Sequence, residues 1–91
     1  MGRPPWANTP GGFVSWLTNL QRVGTILTHA EADAVIAECQ ALGVLVRLDP
    51  PHPGTNWNVP HLNIGIANVH LQVPNGYTHP TVPTGSATGP R

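Results

Sequence analysis

The spacing of hydrophobic residues changes once along the chain, from a helical repeat to strict alternation. In residues 13–23 apolar side chains recur at intervals of three and four, with polar residues on the opposite side. A second helical pattern covers residues 28–42, where Thr28 followed three residues later by Glu31 is typical of a capping box. Gly43 then stands where helices commonly end. The pattern therefore predicts two helices, at residues 13–23 and 28–42.

Beyond Gly43, apolar and polar residues alternate over residues 44–49, 61–66 and 69–73, which is typical of half-buried strands. Pro50 and Pro51 end the first strand, and Asn68 suits the positive φ of a hairpin turn between the last two. Residues 77–79 could add a short edge strand. The chain is thus expected to adopt an α+β fold, with two N-terminal helices packed on a small antiparallel sheet of three to four strands.

The 91 residues suffice for one small domain. The proline-rich residues 1–10 and the unpatterned residues 81–91 are predicted to be flexible tails, which leaves a single domain at residues 11–80. The single cysteine, Cys39, lies in the second predicted helix and is expected to be buried. No apolar stretch approaches the length of about 20 residues that a membrane span requires, and no signal peptide is visible.

Strand alternation places polar residues from all three strands on one face of the sheet. A hairpin loop of two or four residues preserves this parity. The polar sheet face then consists of Arg47, Asp49, His61, Asn63, His70 and Gln72. Solvated faces usually carry Thr, Lys, Glu and Ser, so a set rich in His, Asn and Arg indicates chemistry, with a merely solvated surface as the alternative.

Two histidines beside a cation suit the cleavage of RNA by general acid–base catalysis, because the imidazole pKa lies near neutral pH. One imidazole would remove the 2′-hydroxyl proton and the other would protonate the leaving oxygen, while an arginine or amide holds the phosphorane oxygens. This chemistry requires no cofactor. The predicted catalytic residues are His61, His70, Arg47 and Tyr77. The predicted substrate-binding residues are Asn63, His52, Thr55, Trp57 and Gln72.

The charge balance limits how such a chain could bind nucleic acid. Lysine is absent, and Arg3 and Arg91 lie in the predicted tails, which leaves Arg22 and Arg47 in the domain. A nonspecific binder with a basic stripe is therefore excluded. Two other hypotheses remain open. One is a zinc site, either hydrolytic or structural, formed by His52, His61, His70 and His79. The other is a noncatalytic protein-interaction module.

Three segments also resemble a known class of proteins. They are R-L-D-P-P-H-P-G-T at residues 47–55, W-N-V-P-H-L-N-I-G at 57–65 and V-H-L-Q-V-P-N-G-Y at 69–77. Residues 24–80 resemble the C-terminal toxin domains of bacterial polymorphic toxins, including Rhs-type effectors. The resemblance implies a metal-independent ribonuclease with a fold similar to barnase and EndoU-like nucleases. It matches their catalytic positions to Arg47, His61, His70 and Tyr77.

The same resemblance carries expectations about partners and location. Such a domain is secreted, or delivered into the cytoplasm of a target cell, as the C-terminal part of a larger effector. Its expected partners are an RNA substrate and a cognate immunity protein, with no membrane association, and the domain alone is expected to be a monomer.

Overall fold

The computed structural model describes residues 4–52, 57–65 and 68–83. In this part of the chain a short 3₁₀ helix, Pro5–Asn8, precedes helices α1 (Pro10–Arg22) and α2 (His29–Ala41). Strands β1 (Val46–Asp49), β2 (His61–Ile64) and β3 (Val69–Gln72) follow. They form one antiparallel sheet in the order β1-β2-β3, which confirms the predicted α+β fold. Residues 77–79, which the structure describes, do not add a fourth strand.

Helix α1 begins three residues before the predicted start because a local cap stabilises it there. The hydroxyl of Thr9 accepts a hydrogen bond from the Gly12 amide at 3.1 Å, and Pro10 occupies the first helical position, where its missing N–H costs nothing. The helix ends at Arg22, and Gly24 adopts a φ of 74° that other residues rarely take.

Helix α2 confirms the predicted capping box. The Thr28 hydroxyl accepts from the Glu31 amide at 3.1 Å, and the Glu31 carboxylate accepts from the Thr28 amide at 2.9 Å. The hydrogen bond from the Thr28 backbone is the main cause that lowers the pKa of Glu31. These two bonds fix the point at which the chain enters the helix.

The strands are four residues each and shorter than predicted, but their alternation is as expected. Leu48 lies opposite Leu62 and Leu62 opposite Leu71, which forms an apolar row across the sheet. Asn68 has a φ of 55°, in agreement with its predicted place in the hairpin turn. The neighbouring turn residue Ala67 lies outside the described residues.

The hydrophobic core lies between the helices and the apolar face of the sheet. Its largest fully buried side chains include Phe13, Leu17, Ile36, Leu62, Ile64 and Leu71. Cys39 is completely buried, as predicted, and burial is the first cause that raises the pKa of its thiol to about 12. A thiol in this state serves as a packing group.

The packed region extends beyond residues 11–80 at both ends. Ala7 is fully buried, and Val82 is buried as part of the core. The Leu48 amide donates to the Pro83 carbonyl at 2.9 Å, so residues near the C-terminus cover the outer edge of β1. The described parts of the two predicted tails therefore belong to the domain, because each brings an apolar side chain to it. Residues 1–3 and 84–91 lie outside the described residues.

Candidate active site on the polar sheet face

The strand register arranges the polar sheet face in two parallel rows. In the first row Arg47 on β1 lies opposite Asn63 on β2, which lies opposite His70 on β3. The second row consists of Asp49, His61 and Gln72 in the same strand order. The structure therefore brings together on one face the polar residues that strand parity assigned to it.

Three aromatic rings form a cluster on this face, which we call the ring cluster: Trp57, His61 and His70. The ring centroids of the two histidines are 5.5 Å apart, and the Trp57 ring lies 4.9 Å from His61 and 6.2 Å from His70. Aromatic rings at these separations are in contact.

The two histidines differ in exposure. His61 is only 5% exposed, whereas His70 is half-buried. Burial is the main cause that lowers the pKa of His61 below its ordinary value of 6.5. The nearby carboxylate of Asp49 opposes this shift, and the charges of His70, His52 and Arg47 add to it. Burial thus favours the neutral form of His61, in which one ring nitrogen can accept a proton.

The hydrogen bonding of His61 is incomplete. Its Nδ1 atom is buried and has no hydrogen-bond partner among the described residues. Its Nε2 atom lies 3.6 Å from Asp49 Oδ2, which is an electrostatic contact rather than a hydrogen bond. Buried polar atoms are nearly always paired in folded proteins, so an unpaired imidazole nitrogen is a feature that a bound group can satisfy.

Asp49 organises the first row, a role that the sequence reasoning missed. Its Oδ1 atom accepts from Arg47 Nε at 2.9 Å, and its Oδ2 atom lies 3.4 Å from both Arg47 Nη2 and Asn63 Nδ2. The signal was present in the sequence, because opposite charges two residues apart on a strand share a face. The contact orients the guanidinium and offsets part of its charge, although the Arg47 side chain stays 53% exposed.

Besides Asn63, four residues are predicted to bind substrate, and the structure places them individually as follows. Trp57 belongs to the ring cluster, and Gln72 lies in the second row beside His61. His52 is exposed and close enough to influence the pKa of His61. Thr55 lies outside the described residues. Three of these four predicted residues are thus near the imidazole pair.

Tyr77 is not part of the ring cluster that contains His61 and His70. It is 3% exposed, its hydroxyl donates to Asp33 on α2 at 2.6 Å, and its ring lies 5.4 Å from that of His29. Gly76, with a φ of 84°, forms the turn that directs the chain towards α2. Burial is the first cause that raises the pKa of Tyr77, and the Asp33 carboxylate adds to it. Tyr77 therefore fastens the C-terminal segment to α2.

The histidines considered as zinc ligands do not converge. Within residues 4–52, 57–65 and 68–83, no three His, Cys, Asp or Glu side chains are grouped so that they could hold a metal ion. His61 and His70 belong to the ring cluster, whereas His79 Nδ1 lies 3.0 Å from the hydroxyl of Thr81. The described part of the chain therefore offers no ligand set for the zinc hypothesis.

Comparisons with known proteins add no assignment. The sequence matches no protein-family model, and no curated protein or solved structure is significantly similar to it. The resemblance to polymorphic toxins and to barnase-like folds thus stays a prediction. The described residues contain no helix that is both long and apolar enough to cross a bilayer.

Proposed function

We propose that this chain is the ribonuclease domain of a bacterial polymorphic toxin, and that it cleaves RNA by acid–base catalysis on the polar sheet face. The observation that carries the proposal is the pair of contacting imidazoles. One of them, His61, is buried, which lowers its pKa, and the other, His70, is more exposed and shares a row with Arg47 and Asn63. Two imidazoles in contact can supply the proton acceptor and the proton donor that general acid–base chemistry requires.

In the proposed reaction His61 accepts the proton of the 2′-hydroxyl while the 2′-oxygen attacks the adjacent phosphorus. The bond from phosphorus to the 5′-oxygen breaks, and protonated His70 gives its proton to that leaving oxygen. The products are a 2′,3′-cyclic phosphate and a 5′-hydroxyl. Arg47 and Asn63 lie in the row of His70, where their N–H groups can donate to the nonbridging oxygens as charge develops on them.

Trp57 sets a condition on this chemistry. Its ring contacts that of His61, which is 5% exposed, so we expect the Trp57 ring to move when a 2′-hydroxyl approaches the imidazole. The unpaired Nδ1 atom of His61 is the atom that such a hydroxyl would satisfy. A tryptophan beside the reacting groups also provides a flat surface on which a base can stack.

The biological part of the proposal follows from the resemblance described above. The domain would be secreted, or enter a target cell, as the C-terminal part of a larger effector, and a cognate immunity protein would neutralise it. With a formal net charge of zero, the chain offers little long-range attraction to an acidic partner. The immunity protein is therefore expected to recognise it through shape and directed hydrogen bonds.

The test is cleavage of a labelled RNA oligonucleotide by the purified chain in the presence of EDTA. We expect products that end in a 2′,3′-cyclic phosphate, and a loss of about 10³-fold or more in rate for the His61→Ala, His70→Ala double variant. The matched control is His29→Ala, which removes an exposed histidine on α2, away from the polar sheet face. Full activity of the double variant, or an inactive wild-type chain, would contradict the proposal.

A further inference from the structure

The polar sheet face has a gap beside Arg47 and Asn63, where Gly65 contributes no side chain. Leu45 precedes β1 and Gly65 follows β2, two residues from Arg47 and Asn63 respectively, and the Gly65 amide donates to the Leu45 carbonyl at 2.9 Å. Because Gly65 has no side chain, the polar sheet face is open at this point. The resulting cavity, which we call the Gly65 notch, has a volume of about 310 Å³ and is lined by Leu45, Val46, Arg47, Asn63, Gly65 and Pro83.

The lining of the Gly65 notch is apolar, with polar groups on one side. Leu45, Val46 and Pro83 supply hydrocarbon surface, while Arg47 and Asn63 supply N–H donors where the notch meets the row of His70. Small-molecule sites typically combine apolar walls with a few directed polar groups. The volume lies at the low end of the range of such sites, roughly 300–1,000 Å³, and suits one flat ring system rather than a larger ligand.

The position of the Gly65 notch relative to the imidazoles limits which ligand it can hold. Gly65 lies two residues beyond Asn63, just past the end of β2, so the notch extends roughly 7 Å away from the row that contains His70, with Arg47 and Asn63 at its near side. One nucleotide can span this length, with its phosphate near His70 and its base in the far part of the notch. The Leu45 side chain, 84% exposed in the free chain, would then be covered by the base.

We infer that the Gly65 notch binds the nucleobase of the nucleotide next to the scissile phosphate, while Arg47 contacts that phosphate. The inference rests on the proposed function, because it takes RNA as the ligand. It makes the notch the part of the site that distinguishes one base from another. A small pocket with few hydrogen-bond donors discriminates purines from pyrimidines by their size more readily than it identifies each base by its hydrogen bonds.

Binding can be measured without catalysis. The full chain, labelled with ¹⁵N and ¹³C-methyl groups, is titrated with each of the four nucleoside 3′-monophosphates and, separately, with inorganic phosphate. We expect nucleotides to shift the Gly65 amide and Leu45 methyl signals in a saturable way, and phosphate alone to leave the Leu45 methyl signals unchanged. Identical shifts from phosphate and nucleotides, or no shifts at all, would overturn the inference.

Two substitutions alter the shape of the Gly65 notch. An added Cβ at Gly65 would lie 3.4 Å from the Leu45 carbonyl oxygen and 3.7 Å from its Cβ, both ordinary contacts, so Gly65→Val fills the notch from its floor. Leu45→Ala removes an exposed wall. Each variant should raise the nucleotide dissociation constant and the KM for RNA about tenfold, with a smaller change in kcat.

The controls are matched in chemistry. Gly11→Ala adds a methyl group where nothing lies within 4 Å, and Val23→Ala truncates an apolar side chain that is 69% exposed; both should bind as the wild type does. Thermal melting shows whether Gly65→Val is folded, and Gly65→Ala, with a smaller side chain, replaces it if it is not. Unchanged KM and dissociation constants in the folded notch variants would overturn the inference.

The outcomes separate the inference from the proposed function. If the notch variants cleave RNA as the wild type does, the catalytic proposal holds and the inference that the notch binds a nucleobase fails. If nucleotides bind at Gly65 and Leu45 but the chain cleaves no RNA, the inference about the notch holds and the catalytic proposal fails. If removal of residues 84–91 shifts these signals and nucleotides do not, the notch holds the chain's own end and the inference fails.

Discussion

The lowered pKa of His61 predicts that the fold loses stability in mild acid. Burial in the ring cluster is the first cause that lowers this pKa below 6.5 in the folded chain, whereas unfolding returns the side chain to water and to its ordinary pKa. Below pH 6.5 the unfolded chain therefore binds more protons than the folded chain. The free energy of unfolding falls as the pH drops through 6.5, and this loss stops once the pH is below the folded pKa.

The size of the effect is set by one proton. Between the folded and unfolded pKa values, a single group changes the free energy of unfolding by at most about 1.4 kcal/mol per pH unit. Such a slope is measurable against the stability of about 5–15 kcal/mol typical of small domains. Glu31, whose folded pKa is also lowered, loses its contribution below its ordinary value of 4.5, so measurements between pH 5 and 7.5 separate His61 from Glu31, and the His61→Gln variant identifies the contribution of His61.

The assay is urea unfolding followed by far-ultraviolet circular dichroism at half-unit steps of pH. Wild type and the control variant His29→Gln, altered at an exposed position, should both lose stability towards pH 5. The variant His61→Gln should show a flatter profile, each protein being compared with its own value at pH 7.5. If His61→Gln keeps the wild-type slope, the assignment of a depressed pKa to His61 is refuted.

Three further predictions concern side chains around the site. Asp49→Asn removes the carboxylate that raises the pKa of His61, so an NMR titration should show a lower His61 pKa in this variant; a higher one would contradict the electrostatic account. Tyr77→Phe removes the hydrogen bond to Asp33 and should lower the free energy of unfolding in urea by about 1 kcal/mol, with no change in RNA cleavage. A loss of cleavage at unchanged stability would instead indicate a catalytic role for Tyr77. Thr28→Ala should cost about 1 kcal/mol, because it removes the helix cap, and an unchanged unfolding midpoint would show that the cap contributes nothing.

The elements that depend on local sequence were predictable. The capping box at Thr28 depends on residues three positions apart, and the polar sheet face depends on alternation within single strands. Neither needs knowledge of the rest of the fold. The early start of α1 was also encoded locally, in Thr9 and Pro10, but the apolar pattern that indicated a helix begins only at Phe13.

Two other features that the sequence did not reveal depend on contacts between distant segments. Tyr77 meets Asp33 across 44 positions of the chain, just after the turn at Gly76. The buried His61 ring contacts that of Trp57, a contact that alternation within the strands does not predict. Alternation assigns a residue to a face of the sheet and leaves open what covers that face.

The arrangement of charge explains how a chain without lysine could still act on RNA. Arg47 is held by Asp49 at 2.9 Å, so the polar sheet face gains a fixed donor rather than a free positive field. A donor held by a neighbouring carboxylate loses less entropy when substrate binds, which contributes to the preorganisation that stabilises a transition state. A basic surface would bring RNA to the domain faster but would not orient it. Under the proposed function, this chain therefore relies on orientation, through the two polar rows and the adjoining Gly65 notch, where other nucleases add attraction.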